Sequence, residues 1–181
     1  MLQNDSFIRG FCELGRRNLS FDMLSNPSVL EQVAELGRRC PETILILDHL
    51  GGPAISEGTQ SPQYDLWKAG MRQLAKRPRT YVKISGAPGE AAHGVFGNWT
   101  VEQVAPFMRD TVDIFGVEKC FFAGNWFFLD LAGTYVSWAS AVKQVLLEGA
   151  TNEFVVRLLR GTAAEAYRIS DSEWMIEHHP D

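Results

Sequence analysis

The segment TILILDHLGGP, residues 43–53, places a histidine where a buried strand ends. Its unbroken apolar start predicts a strand covered on both faces, as in a parallel sheet. The Gly-Gly-Pro that follows ends the strand and leaves Asp48 and His49 at its carboxyl end. Ligands of α/β folds bind at that end, where an imidazole can bind a metal or polarise a carbonyl group. The alternative is a histidine satisfied by a neighbouring backbone group. Neighbouring side chains alternate along a strand, so Asp48 is expected to face the side opposite to His49 and is interpreted as structural.

The rest of the chain alternates between strands and amphipathic helices. Strands are predicted at residues 19–23, 43–48, 80–84 and 119–123. Such alternation is typical of a parallel sheet with right-handed crossovers, so the predicted fold class is α/β. No Gly-x-Gly-x-x-Gly follows the first strand and no GxxxxGK[ST] occurs, which excludes dinucleotide-binding and P-loop motifs.

Other polar side chains fall at the ends of these strands. Lys83 lies in the third strand, and it either pairs with a carboxylate or binds an anionic substrate. Asp22 ends the first strand, and Asn125 and Trp126 follow the fourth. His93 lies in a predicted loop, where a solvent-exposed histidine is expected. Asp22, Lys83 and Trp126 are the candidate substrate contacts.

Composition narrows the class of partner. The chain has 181 residues, of which 45% are hydrophobic and 22% charged, as expected for one globular domain. A net charge of −5 without a dense Lys/Arg cluster argues against nucleic acid or an anionic membrane as partner, and favours either a small-molecule substrate or no ligand site. No apolar run approaches the roughly 18 residues of a membrane helix, and no leader pattern opens the chain.

The cysteines favour a reducing compartment. Cys12, Cys40 and Cys120 are odd in number, widely spaced and without a CxxC pair. This pattern indicates neither a disulfide framework nor a cysteine zinc site. Reduced thiols and a cytoplasmic location are therefore predicted.

Several motifs, taken in order, resemble the amidohydrolase-related (amidohydrolase 2) family, in particular its 2-pyrone-4,6-dicarboxylate lactonase-like hydrolases. They read LILDHLGGP, WKAGMRQLAKRP, TYVKISG, FGVEKCFFAGNW and GTAAEAYRI, and the similarity runs from Phe7 to Ile169. The resemblance implies a TIM (β/α)8 barrel of which these strands are strands five to eight, so only half of a barrel is expected. Residues 1–169 form the predicted domain and 170–181 a polar tail.

The resemblance also assigns site residues. His49 matches the family's strand-six histidine, which implies a catalytic residue and a ligand of any divalent metal, Zn or Mn, that is bound. Asn125 lies where many relatives have an aspartate that binds metal or activates water, but an amide cannot take up a proton at neutral pH. Phe127 replaces the usual proline. The family's first-strand His-x-His has no match, because the adjacent pair His178-His179 lies in the tail.

These residues leave three functions open. The first is hydrolysis of a lactone, or of another cyclic ester or amide, of a carboxylated small molecule. There His49 polarises the carbonyl, Asn125 orients water or substrate, and Lys83 holds a carboxylate. The second is a decarboxylase of the same superfamily. The third is an inactive truncated product or pseudoenzyme that associates with another chain, because a homo-oligomer or a missing N-terminal half is expected to cover the open sheet edges.

Overall fold

The computed structural model describes residues 2–93 and 95–170, which contain one sheet of four parallel strands. The strands are β1 (Ser20–Met23), β2 (Ile44–Leu47), β3 (Thr80–Ile84) and β4 (Cys120–Phe122), in the order β1-β2-β3-β4. The sheet is not closed into a barrel, so β1 and β4 are its edges. The prediction of α/β units forming half of a barrel is confirmed. Most of the predicted tail, including both of its histidines, lies outside the described residues.

Eight α-helices lie within the described residues. They are α1 (Asp5–Arg16), α2 (Leu30–Arg39), α3 (Pro62–Ala75), α4 (Ala87–Ala92), α5 (Val101–Phe115), α6 (Tyr135–Val142), α7 (Asn152–Val156) and α8 (Thr162–Tyr167). Helix α5 begins with a capping box, in which Thr100 and Gln103 are bonded reciprocally. Helix α4 begins Ala-Pro-Gly and was not among the predicted elements. His93 follows it and is exposed, as predicted.

The two faces of the sheet are covered very differently. Leu45, Leu47 and Val82 pack with the large apolar core formed by helices that include α2, α3 and α5. This surface is called the outer face. The opposite side chains, Ile44, Ile46, Tyr81 and Phe121, pack with α8 and form a second, smaller cluster. They are called the inner face.

The cysteine prediction is wrong for two of the three residues. Cys12 of α1 and Cys40, which ends α2, form a disulfide with a Cα–Cα distance of 4.8 Å. They are 28 residues apart in sequence, and only the packing of α1 beside α2 brings them within bonding range. Cys120 remains a free, buried thiol.

No helix in the described part of the chain is long and apolar enough to cross a membrane. The predicted cytoplasmic location remains a prediction. So does the predicted absence of nucleic-acid and membrane partners.

Candidate active site

His49 begins a left-handed turn directly after β2. His49, Leu50, Gly51 and Gly52 have φ angles of 53°, 57°, 73° and 69°. This conformation suits glycine but costs about 1 kcal/mol or more for other residues. Leu50 offsets that cost, because its side chain is fully buried and its carbonyl accepts a 2.7 Å hydrogen bond from Trp67 Nε1 of α3. Core packing therefore fixes the backbone that presents His49.

The imidazole of His49 is held by the residues that follow β3. Its Nδ1 lies 2.9 Å from the hydroxyl oxygen of Ser85, which is fully buried. A Cβ atom on Gly86 would lie 2.5 Å from both Cβ and Cγ of His49, so only glycine leaves space for the ring. This contact occupies Nδ1 and leaves Nε2 as the other ring nitrogen. In the sequence, Ser85 and Gly86 appear only as the last two residues of the motif TYVKISG and were not predicted to belong to the site.

A charged cluster lies beside His49 at the carboxyl ends of β1, β2 and β3. Lys83 Nζ lies 2.5 Å from Asp22 Oδ1 and 2.8 Å from Asp48 Oδ1. The hydroxyl of Tyr167 donates a 2.5 Å hydrogen bond to Asp22 Oδ1. These four residues are called the inner cluster. Two carboxylates surround one ammonium, so the cluster has a net charge of −1 when its acids are ionised. Asp48 was interpreted from the sequence as structural. Its ion pair with Lys83, a predicted substrate-binding residue, makes it part of the site.

Burial and hydrogen bonding set the charges at this site. Burial lowers the pKa of His49 most strongly; the Asp48 carboxylate opposes this effect and the Lys83 ammonium adds to it. Burial also disfavours charged Lys83, but hydrogen bonds to Asp22, Asp48 and Tyr167 outweigh it and raise the pKa of Lys83. At neutral pH His49 is therefore a neutral imidazole beside a permanently charged ammonium.

Asn125 and Trp126 lie at the same end of the sheet, after β4. Asn125 has a left-handed backbone with φ 55° and is partly exposed, while Trp126 is 82% exposed. Phe127 and Phe128 follow, with their rings stacked at a centroid distance of 4.8 Å. Among the described residues, no hydrogen bond or ion pair joins Asn125 or Trp126 to the inner cluster. The structure thus brings His49, Lys83 and Asp22 together, and leaves the other two predicted residues at the rim.

The side chains of the site do not by themselves fit a divalent cation. The described part of the chain contains no group of three His, Cys, Asp or Glu residues arranged to hold a metal. Asp22 and Asp48 already share the Lys83 ammonium, and His49 is the single imidazole beside them. A zinc or manganese ion would need ligands in addition to these.

The chain belongs to the amidohydrolase family, whose profile (Amidohydro_2) matches residues 4–169. It is 32% identical over 165 residues to the protein y4mH of Sinorhizobium fredii, and this match covers 89% of the chain and 51% of that protein. It is 28% identical over 155 residues to the L-fucono-1,5-lactonase of Burkholderia ambifaria, covering 84% of the chain and 51% of the lactonase. The chain therefore spans about half the length of these relatives.

Solved structures show the same relationship. An amidohydrolase from Burkholderia multivorans, solved with bound zinc, matches with a TM-score of 0.85 and 27% identity over 93% of this chain and 59% of that one. A probable 2-pyrone-4,6-dicarboxylic acid hydrolase from Acinetobacter baumannii matches with a TM-score of 0.73 at 15% identity, again over 93% and 59%. The second likeness shows the fold alone.

Proposed function

We propose that this chain is one half of a hydrolase that opens the ring of a lactone, with other cyclic esters or amides as related substrates. One observation carries the proposal: a neutral imidazole, His49, is fixed by Ser85 and Gly86 beside a charged cluster at the carboxyl ends of the strands. The similarity to L-fucono-1,5-lactonases, at 28% and 27% identity, supports a lactone as substrate.

Lactone hydrolysis requires stabilisation of charge on the carbonyl oxygen. Water adds to the carbonyl carbon, the ring C–O bond breaks, and the ring oxygen takes a proton to give a hydroxy acid. When the Ser85 hydroxyl donates its proton to Nδ1, the single ring proton of neutral His49 is on Nε2. That N–H then donates to the carbonyl oxygen as negative charge develops there. Ser85 is thus a positioning residue that selects the reactive tautomer.

The remaining site residues favour a hydroxylated substrate. Asp22 and Asp48 accept hydrogen bonds, and the excess negative charge of the inner cluster disfavours an anionic group between them. A substrate carboxylate on Lys83 would have to compete with both aspartates. We therefore place ring hydroxyl groups of a sugar-acid lactone against the carboxylates, with Asn125 orienting water through its amide group.

A chimera tests the proposal directly. In it, this chain replaces the matching 155-residue region of the Burkholderia ambifaria lactonase. Ring opening of L-fucono-1,5-lactone and of a panel of hydroxylated lactones is followed by the acid that each reaction releases. His49→Ala should lower kcat/KM about 10²- to 10⁴-fold, the range for loss of a polarising or proton-transferring group. His93→Ala, a change at an exposed histidine, is the matched control. Equal activity of the two variants would remove His49 from the mechanism.

Ser85→Ala separates positioning from folding. Loss of the hydroxyl leaves the imidazole free to take either tautomer, so kcat should fall about tenfold while KM changes little. Ser85→Thr keeps a hydroxyl and should restore part of the loss. A fall in folding stability with unchanged kcat per folded molecule would show that Ser85 is only structural.

A second candidate function applies to the chain on its own. Helix α8 lies over the inner face, and the chain spans only about half of its relatives. We infer that the isolated chain does not turn over lactones and acts only with a complementary half. Turnover by the isolated chain that is lost on His49→Ala would contradict this inference and support an independent enzyme.

A further inference from the structure

A groove on the outer surface of the helical layer lies between α2 and α3, apart from the candidate active site. It has a volume of about 920 Å³, which falls in the range of small-molecule binding sites. Its apolar wall includes Ala34 of α2 and Leu66, Ala69 and Leu74 of α3, and Leu66 is 47% exposed. Helix α1 contacts α2 on one side and α5 contacts α3 on the other. The groove is therefore built from the middle of this chain and not from an open edge of the sheet.

Four cationic side chains line one end of this groove. Helices α2 and α3 lead into β2 and β3, so both end beside the amino ends of the strands. Arg38 lies near the end of α2, and Lys76, Arg77 and Arg79 follow α3. Among the described residues that line the groove, Glu31 is the single acid, and it lies in the first turn of α2, toward the other end. The groove thus has a cationic end and an apolar middle, in a chain with a net charge of −5.

Three of these cations have no carboxylate partner in the described part of the chain. Arg79 donates to the backbone carbonyl of Glu42 at 2.8 Å, and Lys76 donates to the side-chain oxygen of Gln73 at 3.1 Å. Arg77 is 9% exposed and donates only to neutral oxygens, which are the carbonyls of Gly37, Cys40, Pro41, Thr43 and Arg79 and the hydroxyl of Thr80. Burial, and then the charge of Arg79, lowers the pKa of Arg77 to about 10. The protein therefore satisfies these hydrogen bonds without neutralising the charge.

Cations at the end of a helix also have a structural explanation. A positive charge there offsets the partial negative charge of the helix C-terminus. Arg38, which pairs with Glu35, fits that role, and Arg77 fastens the end of α2 through its carbonyl partners. Arg79 does not fit it, because it lies beyond α3 and its charge opposes that of the buried guanidinium. Like charges held together at a cost in stability are common where a site is arranged for a ligand.

We propose that the groove binds an amphipathic anion, namely a carboxylate on a single alkyl chain. The carboxylate contacts Lys76 and Arg79, and the alkyl chain lies along α3 toward Leu66. A helix rises about 1.5 Å per residue, so about 15 Å separates Leu66 from Lys76, enough for a medium-length chain. A few cations suit one anionic group and not the many phosphates of a nucleic acid. The proposal does not rest on lactone hydrolysis, because His49 lies at the opposite ends of the strands.

Calorimetric titration with decanoate, kept below its micelle concentration, tests the proposal. We expect one saturable site, with decanol bound about tenfold more weakly and acetate not bound. Arg79→Gln and Lys76→Gln should each weaken decanoate binding about fivefold to tenfold, because each removes a charged donor, and should leave decanol binding unchanged. Arg72→Gln is the matched control, because Arg72 lies on α3 but lines a different depression. It should bind decanoate like the unchanged chain.

Ala69→Trp tests the apolar wall. Ala69 is exposed within the groove, so the indole fills the groove without entering the core. Binding of decanoate and of decanol should both be lost, whereas Arg79→Gln weakens decanoate alone. Urea unfolding checks that each variant is folded.

Several results would overturn the proposal. One is the absence of saturable decanoate binding, and another is equal affinity for decanoate and decanol. Unchanged decanoate affinity in Arg79→Gln, with a lower free energy of unfolding, would make the cations structural. Binding to phosphatidylglycerol vesicles without binding of monomeric decanoate would assign the cationic end to a membrane surface. A dimer in sedimentation that Ala69→Trp disrupts, without decanoate binding, would assign the groove to a second copy of the chain.

Discussion

Two clusters of lysine, aspartate and tyrosine lie on opposite faces of the sheet. In the outer cluster, Lys68 of α3 contacts both oxygens of Asp110 of α5 at 2.8 and 2.9 Å, and Tyr64 also bonds that carboxylate. In the inner cluster, Lys83 contacts two aspartates from different strands, and Tyr167 bonds one of them. The residue types are the same, but the ratio of carboxylates to ammonium differs.

The difference in charge separates a structural cluster from a candidate functional one. The outer cluster is neutral, with one acid per lysine, and it fastens two helices that pack on the sheet. The inner cluster has one acid in excess, lies at the carboxyl ends of the strands and adjoins the fixed imidazole of His49. An uncompensated carboxylate costs stability unless it has a further partner. Such a cost is common where a site is arranged for a ligand.

The two clusters should differ most in the unfolding free energy that is lost when their lysine is replaced. Lys83→Met leaves two partly buried carboxylates without a cation, so the free energy of unfolding should fall by about 2 to 3 kcal/mol, less than for a fully buried pair. Lys68→Met leaves one carboxylate that keeps its tyrosine, and we expect a loss of about 1 kcal/mol. Urea unfolding of both variants measures the difference. Equal losses would contradict the assignment of different roles to the clusters.

A disulfide joins α1 to the end of α2. No such covalent link holds the residues of the inner cluster, among the described residues. Cys12 and Cys40 close a loop of 28 residues, and cross-links of this kind contribute about 2 to 4 kcal/mol. The paired change Cys12→Ser and Cys40→Ser should lower the unfolding free energy by that amount. Cys120→Ser would place a hydroxyl at a buried position and is not used as the control. The control is the unchanged chain with its disulfide reduced, compared with the same chain oxidised. If reduction leaves the unfolding free energy unchanged, the bond does not stabilise the fold.

Alkaline pH should open the inner face in particular. Burial, together with a hydrogen bond to a carboxylate, raises the pKa of both Tyr81 and Tyr167 to about 12. A raised pKa means that the neutral phenols stabilise the fold fully below about pH 10, and that this contribution is lost as pH rises toward 12. Tyrosinate absorbance should show a late rise toward pH 12, and Tyr167→Phe should reduce its amplitude. If that variant titrates like the unchanged chain, the hydroxyl of Tyr167 is not fastened in solution.

Loss of single phenol hydroxyls gives the smallest expected contrast. Tyr64→Phe should lower the global unfolding free energy by about 1 kcal/mol, because it removes a hydrogen bond between two helices. Tyr167→Phe should leave that value nearly unchanged and instead speed amide exchange in α8. Hydrogen exchange followed by mass spectrometry distinguishes local from global effects. A global loss in both variants would mean that α8 belongs to the cooperative core.

The sequence predicted the repeated strand-helix pattern and the positions of all four strands within one or two residues. Unbroken apolar runs such as residues 44–47 are local signals, and so are Gly51 and Gly52 at the end of a strand. The same logic placed His49, Lys83 and Asp22 at the carboxyl ends of parallel strands. It missed α4, whose Ala-Pro-Gly start is a poor helix signal.

The contacts between distant segments required the tertiary structure. Sequence spacing gave no hint that Cys12 meets Cys40, or that Ser85 and Gly86 hold the ring of His49. It also left open whether Lys83 pairs with a carboxylate, which depends on the register between β1, β2 and β3.

What the sequence determined by itself is the class of fold, the family and the strand ends that carry polar side chains. Only the tertiary structure decided which of those side chains meet, how their charges balance, and that α8 lies on the inner face. The physical reason is range: periodicity and turn residues act over a few neighbours, whereas burial, ion pairing and helix docking depend on segments far apart in the chain. The sequence therefore defines the elements, and packing defines the site.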